Sequence, residues 1–369
     1  MKNLIKLLLQ KKRTKGMTVG ILTSGGDCQA LNAAMRGVAK SLYEKKKDIQ
    51  ILGIEDGFKG LCQNKVRKME KKDFSGILSL GETILGSSRM PFKQIEEDDE
   101  DGINKIQSMI SCYRKNKMDC LVVLGGNGSH KTANLLREKG LNIITLPKTI
   151  DNDIWGTDMT FGFYSALEIA SKAIDCIHTT AASHSRVFII EIMGHKTGWL
   201  SLYAGIAGGA DIILIPEIPY SIQSVVKKIQ EREQEGRNFT IIVCAEGAIS
   251  KENVSLPKKE YRRKLGGISI SFHLASEIKI LTGKDIRVTI PGHTQRGGEP
   301  CPADRVIATR LGAAAAEYIM AGNFGVMTAL KNGNIEPVPL SEVAGKLKTV
   351  PQDSPIIKEA KSLGISFGE

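Results

Sequence analysis

The sequence predicts an α/β fold whose sheets are mainly parallel and covered on both faces by helices. Three observations carry this. Short apolar runs alternate with helical stretches along most of the chain. Glycines, 38 against 12 prolines, gather where the apolar runs stop. The 369 residues suffice for one large or two ordinary domains. In chain order, "TVGILT" leads into "SGGDCQALNAAMRGVAKSLY", and "CLVVLGG" leads into "NGSHKTANLLREK". "NIITLP" leads into "KTIDND", and "RVFIIEIMG" into "HKTGWLSLYAGIAGGA"; "IILIPE" and "TIIVCAEGA" follow. Each apolar run reads as a buried strand, and anion sites in such sheets sit at the carboxyl ends of strands. The remaining segments read differently. "EEDDEDG" (96–102) reads as a solvated helix start, "LPKKEYRRKLGG" (256–267) as a solvated basic connection and "EPVPL" (336–340) as a turn. A weak helical pattern closes the chain, and no tandem repeat or Gly/Ser-rich linker marks a boundary, so the domains are expected to exchange segments.

Composition narrows the function. Apolar content of 41% with 25% charged residues is that of a soluble globular protein, and no apolar run approaches the roughly 18 residues that span a bilayer. The net charge of +11 owes six lysines and arginines to the first sixteen residues; without them the excess is about +5. No nucleic-acid signature accompanies the charge, so small anionic ligands are the expected partners. Residues 1–16 read as a basic N-terminal extension or upstream start, with Met17 just before the first strand. The alternative is a short basic helix lined by Leu4, Ile5, Leu7, Leu8 and Leu9 that touches anionic lipid. Seven scattered cysteines include no Cys-x-x-Cys pair and no zinc spacing, so they read as reduced thiols of a cytoplasmic protein.

Three strand ends carry the densest chemistry. "TSGGDCQALNAAMRG" (23–37) sets two glycines between a strand and a helix, where the backbone comes close to a ligand and free N–H groups attract phosphate. "LGGNGSHKT" (124–132) is a second such turn. It is not a P-loop, because His130 stands where that pattern needs glycine, so any grip on phosphate rests on the backbone N–H groups of Gly126 to Ser129. "PKTIDND" (147–153) is the third. A carboxylate beside a polyphosphate is repelled by it unless it accepts a proton or holds Mg²⁺. Asp151 and Asp153 alternate like strand residues, so one is free to act as base while the other supports metal or loop. "AASHSR", "EIMGHKTGW", "AEGA", "IRV" and "PGHTQRGG" add arginine, histidine and glutamate at further strand ends, as a phosphorylated polyol would require.

In this order and spacing, "TSGGDxxxxNAAxRG", "GGNGS", "PKTIDND", "SHSR", "EIMGH", "AEGA" and "PGHTQRGG" resemble the phosphofructokinase family over nearly all of residues 17–325. The resemblance implies two Rossmann-like three-layer αβα domains. Residues 17–162 with about 295–345 would form the donor domain, and about 163–294 with 346–369 the sugar-phosphate domain. It implies phosphorylation of fructose 6-phosphate to fructose 1,6-bisphosphate, with Mg²⁺. Asp151 matches the family's base, Thr149 and Asp153 its neighbours, and Arg89 in "LGSSRMP" an arginine that stabilises the transferring group. Gly26, Phe58, Arg89 and Met90 fall on nucleotide-pocket positions, with Gly126, Asn127, Gly128 and Ser129 in the phosphate turn. Met193, Gly194, His195 and Glu246 match sugar contacts, and His293 and Arg296 ligands of the 6-phosphate. Arg186 and Arg287 match arginines that reach in from a neighbouring subunit, implying a homo-oligomer, a tetramer or dimer, with shared sites.

The donor signature is mixed. Gly128 is the residue of ATP users, leaving room for the α-phosphate, whereas Lys148 is that of pyrophosphate users. ATP is expected, because an aspartate at 128 would block the α-phosphate while a lysine can swing aside. Pyrophosphate is the alternative donor, and a non-catalytic sugar-phosphate-binding regulator the alternative function. Asn127 replaces an aspartate that usually helps hold the metal, so Asp153 or water is expected to carry more of it. Lys40, Gln94 and Glu235 depart from the family's effector-site pattern, so allosteric control is expected to be altered or absent.

Overall fold

In a computed structural model, the apolar runs form strands β1 (Met17–Ser24), β2 (Ile49–Ile54), β3 (Val66–Met69), β4 (Cys120–Gly125), β5 (Ile143–Pro147), β6 (Val187–Ile192), β7 (Ile212–Leu214), β8 (Thr240–Ala245), β9 (Ile286–Thr289), β10 (Val326–Lys331) and β11 (Asn334–Pro339). The structure describes residues 16–98, 102, 104–183 and 186–369, with Lys258, Lys259 and Arg262 described by backbone alone. Residues 1–15, most of the basic extension, lie outside them, as do parts of the 96–102 acidic run and His184 and Ser185 of "AASHSR".

The chain divides into two units, the first being residues 1–149, 154–161 and 302–346. Its seven strands lie in the order β11-β10-β5-β4-β1-β2-β3, parallel except at the two edges. Every residue of β4 and β5 is buried, which is why their sequences are unbroken apolar runs and not alternating ones. Burying each such Leu, Ile or Val contributes roughly 1.5–3 kcal/mol. Leu22, Ile54, Leu121, Val123, Ile143 and Met327 join one core cluster. The second unit comprises residues 150–153, 162–301 and 347–369. Its four strands, β7-β8-β6-β9, are all parallel, around a core that includes Ile189, Leu214, Ile242 and Leu274.

Several local expectations are corrected. The helix after β1 begins at Leu31, five residues beyond Gly26, so the glycine pair is not at its start. "EPVPL" is not a turn: its first four residues complete β11, an edge strand on which Pro337 and Pro339 are tolerated because no neighbour needs their missing N–H on the open side, and Leu340 begins the short helix Leu340–Val343. The basic connection contains a helix, Lys258–Lys264, and the acidic run precedes the Lys105–Lys115 helix without starting it. The closing helical pattern is the helix Pro355–Ser362.

Candidate active site

In the first unit, β5, β4 and β1 are neighbours, and their carboxyl ends carry Lys148, Gly126 and Gly25. Gly126 is the N-cap of the Asn127–Glu138 helix, so the expected phosphate turn is a true helix start with free N–H groups. Gly128 stands in its first turn without a positive φ, and a Cβ built there would meet nothing within 4 Å. No packing demand explains the glycine. Ser129 Oγ donates to Ser24 Oγ at 3.1 Å, tying this turn to the end of β1. The buried Lys148 donates its ammonium to the carbonyl of Gly26, and a Cβ built on Gly25 would lie 3.5 Å from that nitrogen. Thr149 is half-buried, its carbonyl accepting Thr160 Oγ1 at 2.7 Å. Asn127 gives its amide to Lys346 O at 2.5 Å.

Arg89 is exposed on a loop that serines hold down: Ser87 Oγ donates to Gly25 O at 2.7 Å, and Gly25 N to Ser88 O at 3.0 Å. Phe58, expected in the nucleotide pocket, is buried in the hydrophobic core, and the half-buried Met90 packs against that core. His130, which entered the sequence reading only as a departure from the P-loop, is buried with its Nδ1 2.9 Å from Gly126 O. Burial pushes its pKa down to about 4, and the Lys148 charge pushes the same way, so the ring is neutral at pH 7. A neutral ring bonded in this way is the Nδ1–H tautomer, holding the N-cap carbonyl behind the helix start.

The second unit holds the carboxylates and the expected sugar contacts. Asn152 adopts a left-handed φ of 49°, so residues 150–153 are not strand and the expected alternation of Asp151 and Asp153 does not hold. Asp153 is buried, and its pKa is pushed up to about 6, first by desolvation and then by the charge of Asp151; Lys196 and Lys348 oppose the rise. Asp151 is half-buried, and its carbonyl accepts Thr197 Oγ1 at 3.2 Å. Beyond β6, Met193 N donates to Gln295 Oε1 at 3.2 Å, and Gly194 has a φ of 138°, a conformation that a side chain would strain. His195 Nδ1 lies 4.0 Å from Glu246 Oε1, and Glu246 follows the neighbouring strand β8. His293 is exposed and Arg296 half-buried on the short 3-10 turn Gly292–Arg296, whose buried Gln295 reaches Met193.

Arg186 and Arg287 share Asp285, at 2.6 and 3.0 Å. Both stand near the amino ends of β6 and β9, whereas Met193 to His195 follow the carboxyl end of β6. A six-residue strand separates the two groups by about 20 Å. Gln295, Lys348, His130 and the two loop serines were missed by sequence reasoning. Of these only Lys348 lay outside the quoted motifs.

The carboxylate pair carries a stability signature. Asp153 has a raised folded pKa, so the stability it contributes is fully present below about pH 4 and is lost as pH rises through about 6. At pH 7.5 without metal, its ionisation therefore costs up to about 3 kcal/mol. Asp153→Asn should raise the thermal midpoint under those conditions by several degrees and lose that advantage at pH 4, read in thermal melts with chelator present.

Among the described residues no group of three or more His, Cys, Asp or Glu is arranged to hold a metal, and no helix is long and apolar enough to cross a membrane. Parallel sheets with a helix start and carboxylates at their carboxyl ends define an α/β enzyme that handles phosphate esters. The comparisons agree. A family model described as Phosphofructokinase matches residues 18–319. The ATP-dependent 6-phosphofructokinase of Spirochaeta thermophila is 53% identical over 365 residues, 97% of this chain and 99% of that protein. That of Propionibacterium freudenreichii subsp. shermanii is 46% identical over 377 residues, 96% and 100% of the two. The solved phosphofructokinase of Saccharomyces cerevisiae superposes with a TM-score of 0.77 at 31% identity, covering 89% of this chain and 45% of that one. A pyrophosphate-dependent phosphofructokinase of Nitrosospira multiformis, TM-score 0.78 at 20% identity over 92% of this chain and 88% of its own, shares the fold. The chain belongs to the phosphofructokinase family. Family, fold and the expected enzyme class, a phosphotransferase, are borne out.

Proposed function

We propose that the chain transfers the γ-phosphoryl group of ATP to the 1-hydroxyl of fructose 6-phosphate, a glycolytic step in the cytoplasm. The reading draws on the ATP-dependent relatives, and one observation of this molecule carries it: Gly128, unforced by packing or backbone, leaves the phosphate turn open. The first unit would bind the donor through the N–H groups of Gly126 to Ser129, with Arg89 and Lys148 supplying positive charge. The second would bind the sugar through Met193 to His195, Glu246, His293 and Arg296. Asp151 accepts the proton of the 1-hydroxyl as its oxygen bonds to the γ-phosphorus; the bond to the β–γ bridging oxygen breaks, and ADP leaves with the electron pair.

A divalent cation fits the carboxylate pair. Asp153 is buried with its ionisation suppressed partly by Asp151, an imbalance that a dication relieves. Asp153 would hold Mg²⁺, with Asn127 contributing at most a neutral oxygen. When bound, the ion supplies charge neutralisation on the polyphosphate. The opposite placement of Arg186 and Arg287 on the β6–β9 pair supports a role toward another copy's ligand, and hence a homo-oligomer, dimer or tetramer, with composite sites.

Pyrophosphate is the second reading, favoured by the buried Lys148 beside Gly26. Turnover of fructose 6-phosphate measured side by side separates the two. ATP should give at least about tenfold higher kcat/KM than pyrophosphate. Comparable rates would move the assignment to the other donor, and binding without turnover on either would make the chain a regulator.

A further inference from the structure

Residues 150–153 belong to no helix or strand, yet the proposed base must be presented in one orientation. Within the second unit, the segment that begins at Leu347 holds them. Lys348 donates its ammonium to Asn152 Oδ1 at 2.7 Å and its backbone N–H to Asp153 O at 2.9 Å. Its own carbonyl takes Trp199 Nε1 at 2.9 Å, and its ammonium lies 5.6 Å over the Trp199 ring. Two residues on, Val350 N donates to Glu217 Oε1 at 3.0 Å, and the same carboxylate accepts Gly198 N at the start of the Trp199–Ala207 helix. Lys348 is thus fixed from behind by a helix start and reaches forward to the one residue of the segment with a left-handed backbone. For a non-glycine residue that conformation costs on the order of 1 kcal/mol, and Asn152, nearly fully buried, is held there by a charge-assisted bond.

We propose that Lys348 is a positioning residue for phosphoryl transfer, acting through the Asn152 carboxamide to orient Asp151. The proposal rests on the reading of Asp151 as base. Loosening a catalytic group by about an ångström costs on the order of 10²-fold in rate without weakening substrate binding. Lys348→Met keeps the apolar stem against Trp199 and removes the ammonium. It should lower kcat by about 10- to 100-fold, leave KM for both substrates within about threefold, and be rescued to within about threefold by Lys348→Arg.

Asn152→Gly keeps the left-handed backbone and removes the carboxamide, and should cause a similar loss. A double-mutant cycle then separates positioning from direct contact with substrate. If Lys348 acts through Asn152, the double variant is no slower than the worse single variant. Multiplicative losses, a kcat for Lys348→Met within twofold of wild type, or a KM that rises in step with a falling thermal midpoint would each overturn the proposal. A wild-type chain that turns over with neither ATP nor pyrophosphate overturns the functional reading instead, and removes the premise of this one.

Discussion

Asp151→Asn is expected to reduce kcat on fructose 6-phosphate by about 10³-fold or more, with KM for both substrates changed only a few-fold. The carboxamide is isosteric with the carboxylate but cannot take the hydroxyl proton, and general-base catalysis is worth about 10²–10⁴ in rate. A loss of 10³ corresponds to about 4 kcal/mol of transition-state stabilisation. The fold gives a second, independent readout. The charge of Asp151 is the second cause, after burial, of the raised pKa of Asp153. Removing that charge relieves Asp153, so the thermal midpoint of the metal-free variant at pH 7.5 should stay level or rise. Destabilisation would point to a structural role for the carboxylate. A velocity within threefold of wild type in a folded variant would remove the kinase assignment.

The fold was legible where local pattern and tertiary burial agree. Strands β1, β4, β5, β6 and β8 are apolar because both sheet faces are covered, and a run of five or six such residues cannot be mistaken for an exposed element. The helix start after β4 was legible for the same reason: Gly125 ends a buried strand and Gly126 caps the next helix directly. Reading failed where distant groups decide the backbone. Gly25 looks like a helix start but is bonded to Ser87 and Ser88, over sixty residues away, and the helix waits until Leu31. Asp151 and Asp153 look like strand positions, but Asn152 turns left-handed and is held there by Lys348, 196 residues away in sequence. The prolines of β11 suggested a turn because a sequence does not say which strand lies at an edge. Apart from His130, which bonds the carbonyl of Gly126 four residues back, each missed residue supports another from a remote segment, and no local spacing announces such a contact.

Gly128→Asp should convert donor preference without harming the fold. Glycine near the start of a helix is ordinarily a small liability, about 0.5–1 kcal/mol against alanine in an interior position, and here nothing in the structure repays it. An added side chain meets open space, and an acidic one in the first helical turn gains about 0.3–1 kcal/mol from the helix dipole. The variant should therefore melt no lower than wild type. Its effect on ligands runs the other way. A carboxylate set among N–H groups that would receive polyphosphate repels an α-phosphate and occupies its room, so KM for ATP should rise by about 100-fold or more, equivalent to roughly 3 kcal/mol. Pyrophosphate has no third phosphate and no nucleoside, and Lys148 remains to meet its charge, so its kcat/KM should change far less. The quantity to measure is the ratio of kcat/KM for the two donors, which should fall by at least about 10²-fold. Gly128→Ala separates room from charge: if space alone matters, the methyl group lowers ATP turnover in proportion to its bulk, whereas if repulsion dominates, alanine stays near wild type. An ATP KM unmoved by aspartate would mean that the α-phosphate does not pass this helix start, and the argument for ATP from the open glycine would fall with it.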